Sequence, residues 1–332
     1  MSEHGLRNHA RNLGWLVALG VLAHLLSGVV AQVSALVVAV VLGALVSNTV
    51  GVPTAIREGY DYHKLLLEVG IVLLGVRLTL GELAAAGLEL VGLTLATVVV
   101  GVLLVEVMSR YVFGLQSKTG SLIAAGASIC GVSAVLTVAA TIDADEEQIA
   151  YVAGAILLFD ALTLVGFPLV GHWLSLDPQT FGIWAGLSMF STGPVVAAGF
   201  AFDPVAGKWA TLTKVARNSF IGLAALGYSV YFTRRTALDE GGTLRTLWGQ
   251  FPKFLVGFAL VVAVTNAGLL GPSTVELVNL ASSWLFTVAF VGLGFDIRLA
   301  RLRGVGLRPV AVVTAYLLVM GAATLAAIDV LF

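Results

Sequence analysis

The sequence predicts an all-α polytopic membrane protein with about eleven transmembrane helices. Hydrophobic residues make up 58% of the 332 residues, charged residues only 11%, and the mean hydropathy is +0.99. Because a soluble domain carries about 25% charged residues, this chain cannot supply the polar surface that water requires. We therefore expect residues 1–332 to form a single domain within a lipid bilayer.

The composition also excludes several kinds of partner and site. The net charge is −1, from 18 basic and 19 acidic residues, so we expect no nucleic-acid partner. Cys130 is the only cysteine, and the five histidines lack metal-ligand spacing, so we expect no metal and no cofactor. The sequence leaves open whether the chain forms a homo-oligomer.

Eleven segments approach the roughly 20 apolar residues that a transmembrane helix needs. They cover residues 13–30, 33–50, 65–80, 87–108, 119–141, 149–174, 181–202, 212–232, 251–270, 275–295 and 307–331. An uncleaved first helix is favoured over a signal peptide ending at Ala31, because a second span follows at once.

The basic residues support this count, because short loops rich in Lys and Arg stay on the cytoplasmic side. They fall in alternate loops: Arg7 and Arg11; Arg57 and Lys64; Arg110 and Lys118; Arg234, Arg235 and Arg245; and Arg298, Arg301, Arg303 and Arg308. We expect a multi-pass plasma-membrane protein with residues 1–12 and the loop at 233–250 in the cytoplasm and an external C-terminus.

Two distant segments align as an internal repeat. Residues 68–78 match residues 287–297 at an offset of 219, and the match extends without gaps to Val91 and Val310. Identical positions include Gly75 and Gly87, although leucine-rich helices also match by chance. The segments belong to the third and tenth spans, so they must run in opposite directions. Inverted repeats are typical of secondary transporters, whose sites lie near the midplane.

Spans five and seven are predicted to be discontinuous near the middle of the membrane. Span five is rich in small residues and contains Gly131, whereas span seven contains Gly193-Pro194, which disfavours a continuous helix. Freed N–H groups at the start of a half-helix favour an anion. We therefore predict substrate-binding residues here, although small residues also serve tight helix packing: Ser128, Cys130, Gly131, Ser133, Ser191, Thr192 and Gly193.

Charged residues inside the predicted spans mark further candidates, because each costs at least ~2.5 kcal/mol there. Lys214 and Arg217 share one helix face, with Asn218 adjacent, and together they are predicted to hold an anion. Asp160, in the middle of span six, is predicted to carry a coupling proton or to bond a neighbouring helix. Lys214 could instead extend to the lipid headgroups.

Three other charged positions are assigned structural roles. Arg77 and Asp296 occupy matching repeat positions near span ends and are predicted to anchor interfaces. Glu106 and Arg110 are four residues apart, so we predict a local ion pair.

Several blocks of this sequence resemble the YeiH-type sulfate exporter family of bacterial and archaeal membrane proteins. They are GIVLLGVRLT at 70–79, ASICGVSA at 127–134, ILLF at 156–159, FGIWAG at 181–186, VVAAG at 195–199, ATLTKVAR at 210–217 and FLVGF at 254–258. The resemblance implies a multi-pass plasma-membrane protein that moves an anion outward. It also implies the inverted-repeat architecture of bile-acid and cation/proton carriers.

Two departures from that family concern the candidate site. Where the family has a His-Asp-Thr-x-Gln run, this chain has Phe190-Ser191-Thr192-Gly193-Pro194, without the imidazole, carboxylate and amide. Asp160 stands where the family more often has Asn.

The leading hypothesis is a secondary transporter of a small inorganic or organic anion, such as sulfate, that works by alternating access. The alternative is a cation/proton antiporter that uses Asp160, with protons or sodium as the coupling ion. A membrane enzyme is not expected, because neither G-x-S-x-G nor H-E-x-x-H occurs. No G-x-x-x-x-G-K-[ST] motif occurs either, so an ion or substrate gradient would supply the energy.

Overall fold

The computed structural model describes residues 3–29, 34–50, 62–233, 252–298 and 306–332, and all regular elements in these ranges are helical. The α-helices are α1 Glu3–Val29, α2 Ala35–Thr49, α3 Tyr62–Leu74, α4 Leu80–Val107, α5 Ser117–Ala125, α6 Val132–Ile142, α7 Glu146–Trp173, α8 Pro178–Ser188, α9 Thr192–Phe202, α10 Pro204–Asn218, α11 Ile221–Thr233, α12 Phe254–Asn266, α13 Pro272–Asp296 and α14 Leu307–Leu331.

Four of the described helical segments are long and apolar enough to cross a membrane. They are Gly87–Val112, Glu146–Trp173, Pro272–Asp296 and Leu307–Leu331. The all-helical membrane character is therefore confirmed, whereas the count of eleven spans stays a prediction. Many of the basic loop residues that support this count lie outside the described residues, as does the loop after Thr233: Arg57, Arg234, Arg235, Arg245, Arg301 and Arg303.

The chain divides into two compact units. Unit 1 comprises Met1–Ala85 and Lys253–Ala300, and unit 2 comprises Ala86–Pro252 and Arg301–Phe332. The prediction of a single membrane domain stays a prediction, because two compact units can belong to one such domain.

In unit 1, α13 packs against α1, α2 and α3. Gly43 and Gly294 let α2 and α13 approach closely, since a Cβ at Gly43 would lie 2.1 Å from the Val291 carbonyl oxygen. Helices α3 and α13 are antiparallel: the His63 Nε2 atom lies 3.3 Å from an Asp296 carboxylate oxygen near one end, and Arg77 Nε donates to Asn279 Oδ1 at 2.7 Å near the other.

This pairing bears on the predicted repeat. The helices that contain segments 68–78 and 287–297 run in opposite directions, as predicted, and α3 packs against α13 within unit 1. Arg77 and Asp296 hold α3 and α13 together through the contacts just given, and the anchoring of interfaces predicted for them stays a prediction.

In unit 2, residues 117–142 form a first helical hairpin. Helix α5 continues into a π-turn, Gly126–Cys130, and the chain reverses at Gly131 into α6. Near the open end Lys118 Nζ donates to the Asp143 carbonyl oxygen, and Gln148 Nε2 donates to Gln116 Oε1 at 2.8 Å. The chain therefore leaves this hairpin at the end where it entered.

Residues 178–202 form a second hairpin in the same way. Helix α8 ends at Ser188 and α9 begins at Thr192. The rings of Phe181, near the start of α8, and Phe202, at the end of α9, stack with centroids 3.9 Å apart.

The two hairpins bear on the prediction that spans five and seven each cross the bilayer, which stays a prediction. The predicted breaks are present, but the chain turns back at each of them. Helices α6 and α9 have 11 residues each, about 17 Å at 1.5 Å per residue. The reversal at the tip, rather than helix length alone, distinguishes them from α3 and α12, which have only 13 residues each.

The two hairpins meet tip to tip in the interior of unit 2. At the first tip Gly131 has φ 66° and ψ −138°, a conformation that side chains disfavour. A Cβ there would lie 2.0 Å from Ser191 Oγ of the second tip. Helix α7 runs from the open end of the first hairpin, where Gln148 contacts Gln116, to that of the second, where the His172 and Phe202 rings lie 4.4 Å apart.

Predicted span eight is also interrupted in the structure. Helix α10 ends at Asn218 and α11 begins at Ile221. Helix α10 packs against α8 and α9, whereas α11 packs against α6. The end of α10 therefore reaches the hairpin tips, which brings Lys214, Arg217 and Asn218 to them.

Candidate functional site

Arg217 joins the two hairpin tips. Its Nε donates to the Ser128 carbonyl oxygen at 2.7 Å, and its Nη2 donates to the Ala127 carbonyl at 2.5 Å and to the Tyr316 hydroxyl at 2.9 Å. Its Nη1 donates to the carbonyls of Met189 at 2.6 Å and Gly186 at 3.4 Å. A guanidinium group has five N–H donors, so every donor of this buried side chain has an acceptor.

Lys214 makes a parallel set of contacts one turn earlier on α10. Its Nζ donates to the carbonyl oxygens of Ile129 at 2.9 Å and Met189 at 3.2 Å, and also to that of Phe190. Three acceptors around one nitrogen match the three N–H donors of an ammonium group. The side chain is fully buried, so it does not extend to the lipid headgroups.

These contacts place the two cations against backbone carbonyl groups of the protein, whereas the sequence predicted that they hold an anion. Both bind carbonyl groups where α5 with its π-turn and α8 end, which is the negative end of a helix dipole. In this arrangement all their donors are bound to the protein, and neither presents a donor to an anion. The role of Lys214 and Arg217 as direct anion ligands stays a prediction, and their observed contacts fix the hairpin tips.

The opposite, positive helix ends also lie at the tips. Helices α6 and α9 begin at Val132 and Thr192, directly after the touching residues Gly131 and Ser191. The first N–H groups of a helix have no acceptor within it, so two sets of backbone donors start side by side. Ser133 is exposed and Ser191 and Thr192 are half-buried, so this region is open rather than sealed.

Asp160 lies against the start of α9. Its carboxylate Oδ1 accepts a hydrogen bond of 2.9 Å from the Ser191 backbone N–H, and the residue is 5% exposed. The carboxylate thus satisfies one N–H at the positive end of α9. This is the predicted bond to a neighbouring helix, and a coupling-ion role for Asp160 stays a prediction.

Asn218 binds the same end of α9 from α10. Its Nδ2 donates to Thr192 Oγ1 at 2.9 Å. Its Oδ1 is buried and has no hydrogen-bond partner among the described residues. Asn218 is therefore a polar group at the tips with an unused acceptor.

The remaining candidates from spans five and seven occupy different positions in the structure. Ser133 lies in the first turn of α6, two residues after Gly131. The Ser128 hydroxyl is buried near α4 instead, since a Cβ on Gly101 would lie 2.9 Å from it. Cys130 is a buried free thiol at the end of the π-turn. Gly193, in the first turn of α9, is buried and contributes only backbone.

Sequence reasoning missed the contribution of α14. The Tyr316 hydroxyl accepts from Arg217, and Thr324 Oγ1 forms a hydrogen bond of 2.8 Å with Ser188 Oγ at the end of α8. A buried tyrosine within a long apolar helix is the signal that could have identified this contact.

A second polar cluster lies near the open end of the first hairpin. The predicted ion pair is confirmed, with Arg110 Nη2 2.6 Å from Glu106 Oε2. Ser121 Oγ donates to Glu106 Oε1 at 2.6 Å, and Arg110 Nη1 donates to the Tyr231 hydroxyl at 2.7 Å. The cluster ties α4 to α5 and α11 and does not contribute to the hairpin tips.

Comparison with known proteins identifies the family. A family model described as Conserved hypothetical protein 698 matches residues 12–313. The chain belongs to this family. The match includes both hairpins and all of α10, so each candidate site residue from Ser128 to Asn218 lies within it, whereas Tyr316 lies just beyond.

Proteins similar to this chain are named as membrane proteins. A UPF0324 membrane protein of Nitratidesulfovibrio vulgaris is 31% identical over 277 residues, which cover 82% of this chain and 76% of that protein. One of Pseudomonas aeruginosa is 32% identical over 289 residues, covering 83% and 80%. One of Vibrio vulnificus is 31% identical over 271 residues, covering 82% and 85%. A membrane location follows for this chain.

Proposed function

We propose that this protein is a secondary transporter of a small anion that works by alternating access in the plasma membrane. One observation carries the proposal: the starts of α6 and α9 adjoin at the hairpin tips. Backbone N–H groups and the positive helix ends favour an anion there.

The buried charges at the tips support an anion rather than a cation. When all three buried groups are ionised, Lys214 and Arg217 contribute two positive charges and Asp160 contributes one negative charge, so the excess is one positive charge. In a medium of low dielectric constant this excess favours a negative ligand. The two cations act by holding the hairpins, and the helix starts provide the ligand-binding donors.

The hairpins revise the proposed membrane topology. We assign nine crossing segments: α1, α2, α3, α4, α7, α10 with α11, α12, α13 and α14. Both hairpins re-enter, which membranes tolerate where the backbone is buried in protein. The basic loops keep the sides predicted for them, with a cytoplasmic N-terminus and an external C-terminus. The turn Asp143–Glu147 moves to the cytoplasmic side.

The substrate is proposed from the sequence resemblance to YeiH-type sulfate exporters. That resemblance favours sulfate or a related sulfur oxyanion moving outward, without a cofactor and without enzymatic chemistry. Protons or sodium would couple transport through Asp160, which lies at the same helix end as the proposed ligand.

A cation/proton antiporter is the second candidate, because one specific observation favours it. The buried Asp160 carboxylate accepts a backbone hydrogen bond at the hairpin tip, and protonation would weaken that contact because the neutral acid is a poorer acceptor. In this case Lys214 and Arg217 would be purely structural.

Flux measurements on purified protein in liposomes distinguish the two candidates. We expect labelled sulfate, sulfite, thiosulfate, sulfonates or carboxylates to exchange across the protein-containing liposomes and not across protein-free ones. An antiporter would instead discharge a pH gradient after a sodium or potassium pulse without any anion requirement. Cation-driven proton flux together with no flux of any of these anions would refute the anion proposal.

A further inference from the structure

The acceptor oxygen of Asn218 is the most informative unexplained group at the hairpin tips. The residue is 4% exposed, and its Nδ2 is used by Thr192 Oγ1. Its Oδ1 has no hydrogen-bond partner among the described residues. Native proteins rarely leave a buried oxygen without a donor, because its lost hydration is then not replaced.

Asp160 places a second acceptor at the same helix end. Its Oδ1 accepts from the Ser191 N–H, one residue before the threonine that binds Asn218. An ionised carboxylate can only accept hydrogen bonds. The start of α9 therefore combines backbone donors with two side chains that offer acceptor oxygens.

This combination constrains the ligand. An anion without hydrogen would satisfy the N–H groups of Thr192 and Gly193 but leave Asn218 Oδ1 unpaired. A bare metal cation would satisfy the acceptors but face the positive end of α9. An oxyanion that carries its own hydroxyl group satisfies both kinds of group at once.

We propose that the substrate is a small oxyanion with a hydroxyl donor, such as a hydrogen oxyanion or a hydroxy-substituted sulfonate. Its charged oxygens bind the N–H groups at the helix starts, and its hydroxyl donates to Asn218 Oδ1. This inference rests on the proposed function and narrows it. Fully deprotonated sulfate, nitrate and halides are then poor ligands, so the inference replaces sulfate, the anion that the resemblance names, with oxyanions that carry a hydroxyl group.

Two matched pairs of anions test the proposal by equilibrium binding to the purified full-length protein. Bicarbonate and nitrate are both planar and monovalent, but only bicarbonate has a hydroxyl. The organic pair is 2-hydroxyethanesulfonate and propane-1-sulfonate, with a hydroxyl and a methyl group at equivalent positions. We expect the hydroxyl-bearing member of at least one pair to bind at least about 10-fold more tightly, since sites built to bond a hydroxyl reject analogues that lack it.

Substitution of the acceptor tests which group makes the distinction. We expect Asn218→Leu to reduce the preference for the hydroxyl-bearing anion to less than about 2-fold, since the hydroxyl loses its acceptor. The matched control is Asn266→Leu in unit 1, where Asn266 Nδ2 donates to the Leu78 carbonyl at 2.8 Å. This control is expected to keep the preference.

The outcomes separate this inference from the proposed function. Equal binding within both pairs, or a preference that Asn218→Leu retains, would overturn the inference and leave an anion transporter of different specificity. If no anion binds and none is transported, the proposed function itself fails. If Asn218→Leu does not fold, the two pairs measured on the unmodified protein still decide the matter.

Discussion

The backbone N–H of Thr192 is the group whose removal tests the anion site most selectively. Thr192 is the first residue of α9, so its N–H has no acceptor within the helix. Proline is well accepted at that position, and it requires an extended preceding residue. Ser191 already has φ −89° and ψ 151°. Thr192→Pro therefore deletes one donor and keeps the helix, whereas Thr192→Val keeps the donor and deletes the hydroxyl.

The expected loss follows from the strength of one hydrogen bond to an anion. A bond to a charged group contributes about 1.5–3 kcal/mol, and about 1.4 kcal/mol corresponds to a factor of ten. We expect Thr192→Pro to weaken anion binding about 10- to 150-fold. Both variants lose the bond between Thr192 Oγ1 and Asn218, so their difference reports the replacement of the N–H by the proline ring.

Titration calorimetry on the purified variants measures this difference, and their melting temperatures without ligand show whether each is folded. We expect Thr192→Val to bind clearly more tightly than Thr192→Pro at similar thermal stability. Equal affinity of the two folded variants would refute the idea that the start of α9 binds the anion.

Three further predictions concern the supports of the site. Gly131→Ala is expected to destabilise the protein by at least about 1–3 kcal/mol, because the added methyl group collides with Ser191 and the backbone there disfavours a side chain. The control Gly166→Ala has open space around the new methyl group and should not lower the melting temperature. Arg217→Lys keeps the charge but loses donors to the tip carbonyls, so we expect the free energy of unfolding to fall by at least about 2 kcal/mol. The control Arg308→Lys, at an exposed position, should change it little. An unchanged melting temperature of Arg217→Lys would contradict the role of Arg217 in joining the hairpin tips. Partial burial alone would raise the pKa of Asp177, but hydrogen bonds from Thr180 and Gln179 outweigh it and hold the pKa below its ordinary value. The Asp177 cap on α8 therefore contributes its full stability above the ordinary carboxyl pKa and loses it as the pH falls through the lowered pKa. Asp177→Ala should cost about 1 kcal/mol of stability at pH 7 and less in acid, as pH-dependent melting would show.

The sequence located the helix breaks because their causes are local. Gly131 and the Gly193-Pro194 pair each act on the backbone of their own segment, and the structure ends or starts helices within two residues of them. The three-residue spacing of Lys214 and Arg217 likewise showed that these two side chains share one helix face. Local signals of this kind need no knowledge of the rest of the chain.

The direction that the chain takes after each break was not predictable in the same way. A glycine permits a reversal as readily as a kink, and contacts distant in sequence, such as Phe181 with Phe202, accompany the reversal. The partners of Arg217 were also hidden, because they are mainly backbone carbonyls and every residue type has one. Only Tyr316 gave a side-chain signal, and it lies 99 residues away.

Selenium anomalous scattering from crystals grown with hydrogen selenite would test the central claim most directly. This anion combines charged oxygens with a hydroxyl, and the selenium atom marks its position. We predict a peak within hydrogen-bonding reach of the N–H groups of Thr192 and Gly193, beside Asn218. Selenium bound elsewhere, with the starts of α6 and α9 unoccupied at saturating concentration, would contradict the account.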